Sequence, residues 1–391
     1  MSYLLGKLFG RLPIGWLQLR HNPARLAAAL AGVAFANMLV FVQLGIMGVL
    51  NGTIKTSYDP IVSDIMISSN DSNTLTEGSA VSRRLLFRAL SVPGIIAAAP
   101  LYMGKLDWKR QDGNTVNLMV YGLPVEAAAF AGPQVRPEMP RLMLTDHVLL
   151  DHSIRGVEAQ ELADISEANP YRLEVQGRTI TAIGTLGIGA GFSADGAMFT
   201  SDQTFLSLFP KRIGGTPSHI LLHVDDKQAI PSLVAHLREI LKDEPVIVRS
   251  TADAIAEDLR YQTTERPTGV IFGFGVFMGV LVGIVIVYQV LSTDVADHLK
   301  EYATLKAMGY PHSFFFGIVL EEALVLGVLG FVPGFLLSNL IYSLLSGVTA
   351  LPIAMTGQRA VMVLVGTLAA SVISGSLATR RLKGADPADL F

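Results

Sequence analysis

Apolar residues are distributed unevenly along the 391-residue chain. A first long apolar run, LAAALAGVAFANMLVFVQLGIMGVL, covers 26–50. No second run of that length occurs until Thr268, and two more follow before the C-terminus. The second, TGVIFGFGVFMGVLVGIVIVYQVL, covers 268–291; the third covers 314–346 and contains Pro333; the fourth covers 360–379. A bilayer core takes about 20 apolar residues of helix. The pattern therefore predicts four transmembrane helices, laid out as one, a wide gap, then three.

The gap, 51–267, has the shorter periods of a folded extracytoplasmic domain. It reads as a strand at Val62–Ser68, a helix at Ser79–Leu90, and strands at Ile96–Trp108 and Val116–Gly122 joined through Gly113-Asn114. Later come a strand at His219–Val224, a helix at Gln228–Leu241 and a strand at Val246–Arg249. The order βαββ…βαβ resembles a ferredoxin-like unit, 62–123 with 218–250. The Gly- and Pro-rich insertion, 124–217, carries a hairpin at Arg172–Ile188 turning on Gln176-Gly177 and reads as a mostly-β subdomain. The predicted fold class is thus membrane α-helical plus an extracytoplasmic α+β domain, ferredoxin-like with an inserted mostly-β subdomain. A helix at Ala252–Thr264 is expected to run on into the second span.

Charge placement orients the chain. Lys7, Arg11, Arg20 and Arg25 precede the first span without an acidic residue, and Arg380, Arg381 and Lys383 follow the last. Positive flanks stay cytoplasmic, so both termini and the loop 292–313 are expected inside, with 51–267 and the short loop 347–359 outside. Ala34-Phe35-Ala36 mimics a signal-peptide cleavage site, but the apolar run is too long for one and reads as an uncleaved anchor. Within 1–25, Leu4, Leu5, Leu8, Phe9, Leu12 and Trp16 share one helical face opposite Lys7 and Arg11, which predicts an interfacial helix broken or kinked at Pro13. Half the residues are hydrophobic, 16% are charged and the net charge is −3, which favours a membrane protein and gives no case for nucleic-acid binding.

The chemistry is sparse. There is no cysteine, hence no disulfide framework and no thiolate metal site. No G-x-x-x-x-G-K-[ST] loop occurs; the glycines at 184, 187, 189 and 191 read as a flexible loop tip. Asp146-His147 and Asp151-His152 are expected on opposite faces of a strand or turn with solvent-facing polar residues, not at a metal. Glu321 and Glu322 lie about two turns into the third span, near the cytoplasmic side, where a carboxylate reaches the interface; packing is a better reading there than a proton relay. Gly275, Gly279 and Gly283, with Gly269 and Gly273 as a second pair, form a helix-packing seam that closes either within the chain or across a dimer.

The cytoplasmic segment DHLKEYATLKAMGYP stands out. It is amphipathic, carries Lys300, Glu301 and Lys306, and ends on Gly309 before Pro311, a helix-stop signature. Together with Tyr302, Leu305 and Met308 it forms a short helix shaped to dock into a groove on a partner.

KEYATLKAMGYPHSFFFGIVLEE and the tail ATRRLKGADPADLF resemble the FtsX/MacB-like permeases of ABC transporters, the mechanotransmission (type VII) class. WLQLRHNPARLAAALAGVAFANMLVFVQLG and SRRLLFRALSVPGIIAAAPLYMGKLDW extend the resemblance, most closely to DevC-type permeases. The resemblance implies a non-catalytic, homodimeric permease in the inner membrane of a Gram-negative-type bacterium. It implies a separate ABC ATPase that carries ATP and Mg²⁺, a periplasmic membrane-fusion adaptor and an outer-membrane TolC-like channel. It places the ATPase-coupling helix at Lys300–Gly309 and makes membrane lipids, glycolipids or other amphiphiles the expected cargo. MacB itself carries a fused ATPase, and no such domain is present in this sequence. An FtsX-like signal transmitter controlling a cell-wall hydrolase is the alternative.

Overall fold

The computed structural model describes residues 14–110, 112–349 and 351–379. The apolar face at residues 4–12, the Pro13 break and the basic tail from Arg380 lie outside the described residues. The chain divides into two compact units: one built from residues up to Gly48, Pro267–Val348 and those from Pro352, the other from Val49–Arg266 with Thr349–Leu351.

The second unit is built on a nine-stranded mixed sheet. Its strands are β1 (Ile65–Ser69), β2 (Ile95–Lys109), β3 (Thr115–Leu123), β4 (His147–Asp151), β5 (Tyr171–Val175), β6 (Arg178–Leu186), β7 (Gly196–Ser201), β8 (His219–Val224) and β9 (Val246–Ser250). Their order is β5-β6-β4-β7-β3-β2-β8-β1-β9. At one end β2, β8, β1 and β9 pair antiparallel throughout. The helices Arg84–Leu90 and Ile230–Ile240 cover one face there, burying Leu85, Leu86, Leu233 and Leu237 against Ile65, Ile67, Ile220 and Leu222. The alternate residues Met66 and Leu221 face a second core on the other side, which is why β1 is buried at every position.

The insertion does not fold as a subdomain apart from 62–123. Its strands continue the same sheet: β7 pairs parallel to β3, and β4 links β7 to β6. The physical reason is the length of β2. Ile95–Leu101 pairs with β8, while Tyr102–Lys109 pairs with β3, so one 15-residue strand serves both halves. The outer half closes over Leu106, Leu118, Leu150, Ile180, Phe205 and neighbouring side chains. The hairpin at Gln176-Gly177 is present, with φ of 51° and 76° at its two turn residues. Consecutive positive φ values match the twist that a two-residue hairpin needs.

The other unit is helical. Among the described residues, four helices are long and apolar enough to cross a membrane: Pro23–Thr56, Pro267–Asp297, His312–Thr349 and Gly357–Ala378. The first three run beyond both ends of their apolar runs as read from sequence, so the first six residues of the expected cytoplasmic loop, 292–297, continue the second long helix. The first helix begins where Asn22 Oδ1 accepts from Arg25 N at 3.2 Å, with Pro23 in its first turn. A short helix, Ile14–His21, precedes it. Its Leu19 is buried among the long helices and Trp16 packs against the same cluster, so this part of the expected interfacial face packs on protein.

The helix at Thr251–Arg260 does not run into the second span. It loosens into a π turn at Tyr261–Glu265, and Arg266 has φ −72° and ψ 139° before the next helix starts at Pro267. A residue preceding proline is driven out of the helical region by the ring.

Candidate functional site

The helix Leu299–Ala307 lies between the second and third long helices, separated from the second by His298 in a non-helical conformation. It ends in a Schellman arrangement: Gly309 N donates to Lys306 O at 3.0 Å, Tyr310 N to Leu305 O at 3.2 Å, and Gly309 has φ +94°. Only glycine takes that backbone at little cost.

The residues expected to form one docking set divide into two faces. Tyr302 and Ala303 are buried, Leu305 is half-buried, and all three point into the helical unit. Tyr302 Oη donates to Gln18 Oε1 at 3.2 Å and packs edge-on against Phe315. Burial and the nearby Glu322 push the Tyr302 hydroxyl pKa well up, so it stays a donor. Lys300, Glu301, Lys306, Met308 and Gly309 are exposed, Met308 at 63%. The helix is thus anchored on one side and open on the other. A cavity of about 70 Å³ remains under it, lined by Tyr302, Lys306, Tyr310, His312 and Phe315.

Glu321 and Glu322 do not reach an interface: both are 0% exposed. Glu321 Oε1 accepts from Trp16 N at 3.2 Å. Glu322 neighbours the buried Asp294 from the second long helix. Arg25 lies 3.6 Å from Asp294 and also pairs with Asp297, while His298 Nδ1 lies 3.5 Å from Asp294. The close fit depends on Gly15, where a Cβ would stand 2.7 Å from Glu322 Cγ and 2.9 Å from Ile318 O. This junction joins the short N-terminal helix, the first three long helices and, through Tyr302, the helix Leu299–Ala307. Sequence reasoning placed the two glutamates on the correct helix but on the wrong surroundings, because helical period alone does not say which neighbour covers a face.

Gly275, Gly279 and Gly283 all face the first long helix. A Cβ at each would stand 2.5 Å from Gln43, 2.7 Å from Val40 and 3.4 Å from Ala36, respectively. A second set was missed: on the third long helix, Cβ atoms at Gly330 and Gly334 would meet Val33 at 2.6 Å and Ala34 O at 2.9 Å. The four-residue spacing of Gly330 and Gly334 was the available signal.

Among the described residues, no three or more His, Asp or Glu side chains gather as a group that could hold a metal ion. Asp151 is buried rather than solvent-facing. Its carboxylate accepts from Ser153 N at 3.0 Å and Gly189 N at 2.7 Å, which ties down the glycine-rich loop. Gly184 of that series lies within β6. A further buried network escaped the sequence reading. Asp258, 2% exposed, accepts from Tyr58 Oη and Leu75 N, each at 2.9 Å. Burial pushes its pKa up to about 6 against those hydrogen bonds. His219 Nε2 lies 2.8 Å from Leu75 O, which can only accept, so Nδ1 takes the proton of Ser68 Oγ at 2.8 Å. Burial lowers the His219 pKa to about 4.

No curated protein matches the chain. Several solved structures align with it, three of them as follows. The extracellular domain of the noncanonic ABC-type transporter YknZ from Gram-positive bacteria has 10% identity over 48% of this chain and 100% of that one, with a TM-score of 0.34. The periplasmic region of MacB from Actinobacillus actinomycetemcomitans has 11% identity over 52% and 94%, with a TM-score of 0.34. A domain of a putative permease protein from Porphyromonas gingivalis has 16% identity over 50% and 90%, with a TM-score of 0.31. Scores this low do not establish a shared fold. Residues 273–387, which include the helix Leu299–Ala307 and most of the last three long helices, match the family model of the FtsX-like permease C-terminal region.

Proposed function

We propose that this chain is the transmembrane permease subunit of an ABC export complex, and that Leu299–Ala307 with Met308–Tyr310 is the surface on which a separate ATPase subunit acts. The observation that carries this reading is the two-faced docking helix within the FtsX-like segment. Tyr302 and Leu305 tie it to the bundle, while Lys300, Glu301, Lys306, Met308 and Gly309 stay open. A push on the open face is passed through Tyr302 to Gln18 and to the third long helix at Phe315.

In this reading the protein works as a homodimer in the inner membrane of a Gram-negative-type bacterium, with both termini cytoplasmic and 51–267 periplasmic. It acts with a membrane-fusion adaptor and an outer-membrane TolC-like channel on a lipid, glycolipid or other amphiphile, as DevC-type systems do. ATP and Mg²⁺ belong to the partner, and no residue here is catalytic. The order β2-β8-β1-β9 with its two covering helices supports a ferredoxin-like reading of that part of the outer unit.

The test is Met308→Asp in the full chain, reconstituted with its ATPase. Retained membrane insertion with loss of stimulated ATP hydrolysis and of export is expected. Normal stimulation and export would overturn the assignment. Co-purification of a cell-wall hydrolase in place of an adaptor and channel would move the protein to signalling.

A further inference from the structure

Two buried carboxyl groups meet where the second long helix packs on the third. Asp294 of Pro267–Asp297 is 3% exposed and Glu322 of His312–Thr349 is 0% exposed. Their carboxyl groups lie within hydrogen-bond reach of each other. Among the described residues, no N–H or O–H donor meets Asp294 Oδ2 or either Glu322 oxygen. The surrounding groups do not fill that role. Arg25 approaches the other oxygen, Asp294 Oδ1, at 3.6 Å and also pairs with Asp297. His298 Nδ1 lies 3.0 Å from the Asp294 carbonyl oxygen, which can only accept, and 3.5 Å from Asp294 Oδ2. Glu321 adds another acid beside Glu322. Tyr302, near both acids, donates its hydroxyl to Gln18. Gly15 closes a further side, where even a Cβ would stand 2.7 Å from Glu322 Cγ.

Ionised carboxylates only accept hydrogen bonds, and two of them sharing one buried site do not both ionise. We propose that Asp294 and Glu322 bind one proton between them, and that this shared proton holds the second long helix to the third. Glu322 is the residue that carries it. Arg25, the cation at Asp294, favours the ionised form there, whereas the charges nearest Glu322 are both acidic. The bond is therefore Glu322 O–H donating to the Asp294 carboxylate. Losing the proton would set two anions against each other beside Tyr302, at the root of the helix Leu299–Ala307. The repulsion would drive the second and third long helices apart, which makes the junction a pH-sensitive joint. The site rests on the packing of the helical unit alone and survives if the ATPase reading fails.

The experiment takes infrared difference spectra of the full-length protein in nanodiscs, parent against variant, at neutral pH. The parent is expected to show the C=O stretch of a protonated carboxyl, shifted in D₂O, which Glu322→Gln lacks. The amide of Glu322→Gln donates to Asp294 in place of the proton, so the helices stay joined. Asp294→Asn offers Glu322 an amide instead of a carboxylate, and the same band should move or disappear; this variant decides alone if Glu322→Gln does not fold. Glu321→Gln should leave the band in place. Thermal unfolding reads the joint itself: raising the pH above neutral should lower the midpoint of the parent more than that of Glu322→Gln. A parent without the band, a band unchanged in Glu322→Gln or Asp294→Asn, or equal falls of the two midpoints overturns the proposal. A band lost from Glu321→Gln and kept in Glu322→Gln overturns it as well, because the proton then belongs to the neighbouring acid.

Discussion

The sheet unit and the helical unit both bury carboxyl groups, but they hold them differently. In the sheet unit, Asp258 accepts from Tyr58 Oη and Leu75 N, and Asp151 accepts from two backbone amides. In the helical unit, Glu322 is fully buried beside Asp294, which Arg25 approaches at 3.6 Å and His298 Nδ1 at 3.5 Å. The first arrangement fixes one geometry, because moving a donor away strands a buried acceptor. The second gathers charged side chains from several helices at one junction, beside close helix approaches at Gly15, Gly279 and Gly330.

The largest expected effect tests how each core is held. Phe205 is fully buried in the sheet unit and stacks on Phe209 at 4.4 Å. Phe205→Ala should cost that unit about 3–5 kcal/mol. Phe41 is as fully buried among the helices, between Phe331 and Phe335. Phe41→Ala should cost on the order of 1–2 kcal/mol, since packing in lipid lacks the hydrophobic drive of water. Hydrogen exchange on the full chain reads the units separately, and equal losses would break the comparison.

A pH series sharpens it next. The Asp258 pKa is about 6 when folded against roughly 3.9 unfolded. Its contribution is therefore fully present below about pH 4 and lost as pH rises through about 6. The His219 pKa is about 4 when folded against roughly 6.5 unfolded. Its contribution is present above about pH 6.5 and lost as pH falls through about 4. The two oppose one another across that window. Asp258→Asn should leave the sheet unit destabilised on acidification by roughly 2–3 kcal/mol, and His219→Gln should reverse the sign. Parallel melting curves for both variants from neutral to acidic pH would contradict the network.

Much of the sheet unit was legible in the sequence. Period-two runs with Gly113-Asn114 and Gln176-Gly177 between them located the strands and hairpins. The continuity of the sheet was not legible, because the parallel pairing of β3 with β7 joins residues about 80 positions apart and leaves no local signal. In the helical unit the apolar runs and the glycine seam were legible, as was the stop at Gly309. What escaped was which side each polar residue faces. Tyr302, expected in the docking set, is buried against the bundle; Glu321 and Glu322, read as packing residues whose carboxylates reach a surface, are fully buried instead. The burial of Asn37 and Ser371 gave no signal, since a lone polar residue in an apolar helix has the same period whether it faces lipid or protein.

Smaller effects divide the glycines. Gly279→Leu forces a side chain into Val40 and should cost about 1–3 kcal/mol. At Gly366 a Cβ meets nothing within 4 Å, so Gly366→Leu should be neutral or stabilising by up to ~1 kcal/mol through helix propensity. Thermal unfolding in detergent checks both, and equal destabilisation would contradict the packing described. Smallest of all, Met308→Asp should change stability by less than about 0.5 kcal/mol, since the side chain is exposed.

The most direct measurement uses the absence of cysteine. Met308→Cys on the docking face and Val365→Cys on the exposed side of the fourth long helix each give a single thiol in the full chain. With the cognate ATPase present, cross-linking should occur at position 308 and not at 365, and ATP should change its yield. No cross-link at 308, or equal cross-linking at both positions, would contradict the claim that this helix receives the motor.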